Sequence, residues 1–365
     1  MTTVFLTGFP GFLGSELVKR LLARYADDVT IVCLIQRKFR ALSLQRVAEI
    51  DAEQAGWGAR IQLLEGDITL PDLGLGAVQL AALQQETVEI YHLAAVYALG
   101  VSRELAMRVN VDGTRYMLRL AGSCPRLRRF QYVSTCYVSG RHDGDFTEND
   151  LKNGQLFNNY YEETKYWAEI EVRQQMKKGL PVSIYRPAIV VGDSKTGATQ
   201  KYDGPYYAIQ WILRQPPHAI MPLVGDPSRF EVNVVPSDFV IDALDYLSAQ
   251  EQSLGQVYHL SDPAPLTVAE MIDVIAAVTG RQVWRIPVTS WLAKGALQYI
   301  PGVYSLMRIE PASIDYFTLP TRYTCTNTLR DLAGSGIACP SFTDYAPVLV
   351  DFMRRRPEIS AEAMV

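Results

Sequence analysis

The chain reads as an α/β protein with a doubly wound parallel sheet, completed by a smaller C-terminal region, and three observations carry that reading. A short apolar run, Val4-Phe5-Leu6-Thr7, leads straight into glycines at three-residue spacing, Gly8, Gly11 and Gly14, and then into an amphipathic stretch. Strand-like and helix-like periods go on alternating as far as Gly192, the order that sets parallel strands side by side with helices on both faces. The 365 residues, 48% hydrophobic and 20% charged, suffice for a sizeable core.

Taken in order, the first helix runs to about Ala26, and residues 29–35 form an apolar, β-branched run. Residues 61–65, 88–92, 129–134 and 182–186 repeat the strand pattern, with helical periodicity between them. Regularity weakens after Gly192: residues 195–203 are polar and Gln215-Pro216-Pro217 breaks a helix, so 193–231 reads as an insertion that builds a substrate site. Strand signals return at 232–235 and 257–260, which sends 232–262 back to the dinucleotide-type unit of residues 1–192. A helix over 267–279 and a tail containing Pro and Tyr make residues 263–365 the rest of the substrate region.

A net charge of −4 gives no overall steering toward nucleic acid, and Arg354-Arg355-Arg356 reads as a solvated helix end. No apolar run reaches the roughly 18 residues of a membrane span, and Met1 stands only a few residues before the first strand. A cytoplasmic protein is expected. The five cysteines are an odd number without metal-ligand spacing and read as reduced thiols, so no metal is expected.

The loop Gly8-Phe9-Pro10-Gly11-Phe12-Leu13-Gly14 points to a dinucleotide. Gly8 allows the tight turn, Gly11 lets backbone approach a pyrophosphate, Gly14 lets the helix pack on the strand, and the helix N-terminus offers free N–H groups to anionic oxygens. The second strand ends Ile35-Gln36-Arg37-Lys38, with no carboxylate to grip an adenosine ribose. Arg37 can fork onto a 2′-phosphate, which favours NADPH, although a basic surface loop has the same composition. Asp67, after the third strand, is either an acceptor for the adenine amino group or an ordinary turn aspartate.

Tyr161 and Lys165 are four residues apart and so share a helix face. They follow Val133-Ser134-Thr135, a strand ending in hydroxyls at the carboxyl edge of the sheet, where ligands bind. An ammonium beside a phenol lowers its pKa and makes it a usable proton donor near neutral pH. Thr135 is placed to hydrogen-bond a reacting oxygen, or simply to cap the strand end.

These motifs together resemble the extended short-chain dehydrogenase/reductases over about the first 260 residues. The resemblance rests on Thr7-Gly8-x-x-Gly11-x-x-Gly14, Gly66-Asp67-Ile68, His92-Leu93-Ala94-Ala95, Asn110-Val111-x-Gly113-Thr114, Val133-Ser134-Thr135, Tyr161-x-x-x-Lys165 and Tyr185-Arg186-Pro187. It implies that Tyr161 is the proton donor or acceptor, that Lys165 also holds the nicotinamide ribose, and that Thr135, with Ser134 as second choice, binds the substrate oxygen. It implies further that Ile68, Ala94, Ala95, Asn110, Pro187 and Ile189 belong to the cofactor site. The segment from Arg186 through Gly192-Asp193-Ser194-Lys195-Thr196-Gly197 is most similar to thioester reductases, the reductase domains of carboxylic acid reductases and fatty acyl-CoA reductases. The family's arginine at the end of the second strand aligns with Gln36, beside Arg37.

That resemblance implies NADPH-dependent reduction of an acyl-CoA or acyl-carrier-protein thioester to aldehyde, and with a second hydride to alcohol. The thioester is expected to come from outside the chain, with Lys195 attracting the phosphates of a pantetheine arm. Tyr202, Tyr206, Tyr207, Trp211 and Ile212, with Trp291, Tyr299 and Tyr304, are expected to line an acyl pocket or a shallow membrane-facing entrance, or else to pack in a core. A hydroxysteroid-type alcohol dehydrogenase would use the same catalytic residues. A nucleotide-sugar epimerase or dehydratase would hold NAD tightly, and a non-catalytic NADP sensor would not need the Tyr and Lys.

Overall fold

Strand β1 (Thr2–Thr7) is buried along five of its six residues, which an apolar strand flanked on both edges and covered on both faces requires. The computed structural model describes residues 2–97, 100–289, 291, 292, 295 and 316–360. The other strands are β2 (Val29–Ile35), β3 (Ile61–Glu65), β4 (Thr87–His92), β5 (Arg129–Val133), β6 (Gly144–Phe146), β7 (Val182–Pro187), β8 (Ile189–Val191), β9 (His218–Val224), β10 (Val234–Pro236), β11 (Val257–Leu260), β12 (Gln282–Val288) and β13 (Thr321–Tyr323). The helices are α1 (Phe12–Arg24), α2 (Arg40–Glu53), α3 (Ala77–Glu86), α4 (Arg103–Ala106), α5 (Gly113–Ser123), α6 (Tyr160–Lys177), α7 (Pro205–Leu213), α8 (Ser237–Ala249), α9 (Val268–Thr279), α10 (Thr326–Leu332) and α11 (Phe342–Arg355).

Seven parallel strands stand in the order β11-β7-β5-β4-β1-β2-β3, the doubly wound sheet expected from the alternating periods. The chain builds outward from β1 to β3 and then returns to the other side of β1 with β4. The last residues of these neighbours, Thr7 and His92, pair at the carboxyl edge, so the crevice of the topological switch opens there. Leu17, Val18, Leu21 and Leu22 of α1 and Leu244 and Leu247 of α8 cover one face. Met117 and Leu118 of α5 and Ala168 and Val172 of α6 cover the other. Each fully buried large side chain contributes about 1.5–3 kcal/mol.

A third core joins Ile209 and Ile212 of α7, Met271 and Ile275 of α9, and Tyr345 and Leu349 of α11. Helix α9 is closed at both ends by local chemistry: Thr267 and Glu270 form a capping box, and Gly280 ends it at φ 68.

Two features depart from the pattern read in the sequence. The strand expected at 232–235 is β10, and it pairs with β8 outside the main sheet. Pro187, which lacks an N–H, ends β7, and the chain leaves the ladder there. Part of the tail packs back beside the main sheet: β13 pairs with β6 in a separate two-stranded sheet, the Tyr258 phenol of β11 donates to Asp331 Oδ2 at 2.8 Å, and the Thr328 hydroxyl donates to the His259 carbonyl of β11 at 2.8 Å. Among the described residues no helix is long and apolar enough to cross a membrane. All five cysteines are free thiols, four of them buried.

Candidate active site

A cleft of about 1020 Å³ follows the carboxyl edge of the sheet from the glycine loop to Tyr316 and Phe317. All seven residues Gly8–Gly14 line it. Gly8 has φ 101, and a Cβ there would stand 2.9 Å from Leu93 Cβ; a Cβ on Gly11 would stand 2.8 Å from the Gly8 carbonyl oxygen. Gly11 is the N-cap of α1 and no side chain caps the helix, so its first-turn N–H groups remain for a ligand. This cradle fits a dinucleotide pyrophosphate.

At the adenosine end the cations are sorted by their helix positions. Lys38 lines the cleft, whereas Arg37 is exposed outside its lining. Arg46 of α2, which the sequence did not single out, does line it, and its Nε is buried with no partner while Nη1 donates to Glu49 at 2.6 Å. Its signal in the sequence is one cation on a helix that also carries Arg40, and only the placement of α2 picks out the face. Asp67 and Ile68 line the cleft. Asp67 also closes its own turn, accepting from the Thr69 N–H at 2.8 Å and from Gln36 Nε2 at 2.9 Å.

Ala94 and Ala95 form the floor. The Ala94 N–H donates to Thr7 Oγ1 at 3.2 Å, and Thr7 Oγ1 lies 2.8 Å from His92 Nδ1. Burial, with the Lys165 charge adding to it, lowers the His92 pKa to about 3, so this imidazole is neutral. Asn110 lies behind the lining: Oδ1 accepts from the Val96 N–H at 2.9 Å, and Nδ2 donates to the Val96 carbonyl and to Thr164 Oγ1, each at 3.0 Å. It clamps the floor to α6.

Thr135, Tyr161, Lys165, Pro187 and Ile189 all line the same cleft. Asn159 Oδ1 accepts from the Glu162 N–H at 3.0 Å and starts α6, which carries Tyr161 and Lys165 one turn apart. Thr135 stands two residues beyond β5, accepts from the Tyr137 N–H at 3.3 Å, and donates its hydroxyl to the Pro187 carbonyl at 3.4 Å. Burial raises the Tyr161 pKa to about 12, against the hydrogen bond from Thr135, which lowers it. The expectation that Lys165 pulls this phenol down is therefore corrected. The Lys165 ammonium donates instead to the Tyr132 phenol at 3.0 Å and to the Val133 carbonyl at 2.8 Å, and burial, opposed by the Glu169 charge, lowers its own pKa to about 7.

Ser134 lines the cleft, yet its hydroxyl is committed, donating to Glu169 Oε2 at 2.7 Å. Glu169 and Arg186 are both fully buried and paired at 2.6 Å, with Arg173 adding a second cation at 2.9 Å. Burial would raise the Glu169 pKa, but the two guanidiniums outweigh it and hold it at about 2.

Beyond Tyr161 the walls are Tyr97, Tyr137, Tyr207, Val232, Tyr316 and Phe317. Of the residues expected there, Tyr207 lines the cleft, whereas Tyr202, Tyr206 and Ile212 pack in the third core. Trp211 donates Nε1–H to the Ile220 carbonyl at 2.7 Å, Trp291 is 73% exposed, and Tyr299 and Tyr304 lie outside the described residues. Lys195 is exposed outside the lining, because Asp193 folds the loop on itself by accepting from the Lys195 and Thr196 N–H groups at 3.0 and 2.7 Å. Lys201 is the cation of this segment that does line the cleft, 4.8 Å over the Tyr97 ring and 2.6 Å from Asp203. Among the described residues no His, Cys, Asp and Glu side chains gather into a metal-ligand cluster.

The chain resembles known proteins in both sequence and fold. The terminal R domain from the myxalamid PKS-NRPS biosynthetic pathway superposes with a TM-score of 0.83 at 28% identity, over 99% of this chain and 92% of that one. A linear gramicidin synthase of Brevibacillus parabrevis is 29% identical over 299 residues, which is 79% of this chain and 6% of that protein. The fatty acyl-CoA reductase wat of Drosophila melanogaster is 26% identical over 275 residues, 66% of this chain and 53% of that enzyme. The NAD-binding family described as Male sterility protein matches residues 6–244, and with the glycine cradle and the Tyr161/Lys165 centre on one cleft, the chain belongs to that family and is an NAD(P)-dependent oxidoreductase of the extended short-chain dehydrogenase/reductase type.

Proposed function

We propose that the chain reduces an acyl thioester, presented by CoA or a carrier protein, to aldehyde and free thiol with NADPH, and that a second reduction gives alcohol. The observation that carries this reading is the continuity of one cleft, from a dinucleotide cradle past Thr135, Tyr161 and Lys165 into a largely aromatic lobe open enough for an acyl chain. The likeness to an R domain and to a fatty acyl-CoA reductase supports it. Lys38 and Arg46, with no carboxylate at the end of β2, support NADPH over NADH.

The Gly8–Gly14 loop and Lys165 would hold the dinucleotide, which when bound would supply the hydride. Thr135 and Tyr161 present two O–H groups to the carbonyl oxygen, where charge develops as the carbon becomes tetrahedral. Tyr161 gives its proton to that oxygen, and collapse of the hemithioacetal breaks the C–S bond to release thiol and aldehyde. Lys165 compensates the charge left on the phenol.

The test follows free thiol and NADPH together with a long-chain acyl-CoA and with an acyl-carrier protein. One thiol per NADPH is expected for aldehyde, one per two for alcohol. Tyr161→Phe should lower turnover by about two orders of magnitude or more with cofactor affinity retained. Turnover of a hydroxysteroid or nucleotide sugar without thiol release from any thioester refutes the reading.

A further inference from the structure

Two residues of the aromatic lobe also wall a second cavity. Among the described residues, Tyr137 and Tyr316 line both the cleft and a space of about 10 Å³ behind it, the room of one water. The other walls of that space include Glu231, Asn233, Thr321 and Tyr323. Val232 lines the cleft while its neighbours Glu231 and Asn233 line the cavity, so the two phenols form a partition between an aromatic space and a polar one. The rings are fixed in different ways. Tyr137, two residues after Thr135, is buried and has Tyr323 edge-on at 6.0 Å, whose hydroxyl lies 3.0 Å from Ser139 Oγ. Tyr316 comes from far along the chain and meets Tyr137 edge to face, with 4.7 Å between ring centres and 87° between planes. Its phenol oxygen accepts from Asn159 Nδ2 at 2.9 Å. Asn159 is the N-cap of α6: its Oδ1 takes the Glu162 N–H at 3.0 Å, and its Nδ2 also reaches Glu162 Oε1 at 3.4 Å. One N–H of the amide thus serves Glu162 and the other serves Tyr316, so the side chain that starts the helix of Tyr161 also holds the partition.

We propose that Tyr316 is a specificity-determining residue: its ring sets how deep an acyl chain enters the lobe, and the Asn159 amide holds the ring in that place. The proposal rests on the reading of the aromatic lobe as the acyl site. A chain growing past Tyr137 has to push the Tyr316 ring aside and break its bond to Asn159. It then meets Glu231 and Asn233, and desolvating a carboxylate costs more than burying a methylene gains. Chains that stop short of the partition bury their methylenes against aromatic rings and gain with each one. The lobe therefore selects by length, and the limit lies in one side chain supplied by the tail.

The test is calorimetric titration with S-alkyl-CoA thioethers of increasing chain length, with NADPH saturating so that the CoA nucleotide is kept out of the glycine cradle. These probes have no carbonyl to reduce, so they read the lobe apart from the reaction. Affinity of the unmodified protein is expected to rise about fourfold per methylene and then to stop rising at one chain length. Tyr316→Ala should move that break to longer chains, and Tyr316→Trp to shorter ones. Tyr316→Phe keeps the ring and loses the bond to Asn159, while Asn159→Ser keeps an oxygen to cap α6 and loses the amide. Both should tighten chains beyond the break about two- to tenfold and leave shorter ones unchanged. No break in the unmodified protein, or a break at the same length in Tyr316→Ala and Tyr316→Trp, overturns the proposal. Unchanged long-chain affinity in both Tyr316→Phe and Asn159→Ser overturns the role of the amide. If Tyr316→Ala does not fold, the Trp and Phe variants decide, and an unchanged profile in both overturns the proposal. A break that moves as expected, with no thiol released from any acyl thioester, refutes the reaction and leaves the depth assignment standing.

Discussion

Arg37 and Arg46 carry the same charge, and only Arg46 turns into the cleft. A buried guanidinium nitrogen without a partner is costly, and a phosphate oxygen of the proposed NADPH would supply what Arg46 Nε lacks. Arg46→Ala is therefore expected to weaken NADPH about ten- to a hundredfold and to leave NADH nearly unchanged, whereas Arg37→Ala changes neither much. Fluorescence titration of both cofactors reads this directly, and an equal loss of NADH on Arg46→Ala would refute the assignment. The contrast shows what a single residue betrays in a sequence. The glycine loop, Thr135, Tyr161 and Lys165 were legible because a turn or one helical period fixes their direction. Arg46 and Lys201 were not, since a cation on a polar helix or loop shows its direction only when the element is placed. The helix face of Lys165 was legible, but its partners Tyr132 and Val133 come from another strand and could not be read from the helix.

Among the elements, β5, α6 and β7 are tied together by one ion cluster. Glu169 of α6 accepts from Ser134 beyond β5, from Arg173 one turn on, and from Arg186 Nε of β7 at 3.0 Å. Removing the carboxylate leaves the Arg186 charge buried, so Glu169→Gln is expected to cost about 3–5 kcal/mol at neutral pH. The folded Glu169 pKa of about 2 lies below its ordinary value of 4.5. Its stabilisation is thus complete above pH 4.5 and lost as the pH falls toward 2, so the gap between the two proteins should close over that window. Urea unfolding at several pH values measures it, and a gap independent of pH would show that the carboxylate is not held ionised. The strands of the main sheet were legible in the sequence because buried parallel strands are continuous apolar runs; β2, β3 and β11 fall on the expected residues. The pairings of β6 with β13 and of β9 with β12 were not, because each joins three- to seven-residue segments far apart in the chain.

On the scale of the whole molecule, the tail after the aromatic lobe does more than wall the cleft. Residues 316–332 put Tyr316 and Phe317 into the cleft wall and then run back across the sheet half. There they supply partners to groups that the first half buries: the Asn327 N–H donates to Glu148 at 2.9 Å, Asp331 accepts from Tyr258, Thr328 donates to the His259 carbonyl, the Thr324 carbonyl lies 2.6 Å from His259 Nδ1, and Tyr323 lies 3.0 Å from Ser139 Oγ. Each buried polar group left without its partner costs about 1–3 kcal/mol, against about 5–15 kcal/mol of total stability for a typical fold. Helix α11 adds Tyr345, Leu349 and Met353 to the third core, so its loss would also expose α7 and α9. A chain truncated before Tyr316 keeps every residue of the dinucleotide cradle and the whole seven-stranded sheet. If the cofactor half folded independently, that chain would still bind NADPH and melt cooperatively. The buried partners argue the opposite: the truncated protein is expected to lose its cooperative thermal transition and its NADPH binding together. Thermal melts with and without NADPH decide between the two, and retention of a sharp, cofactor-raised transition would show that the tail serves the substrate lobe alone.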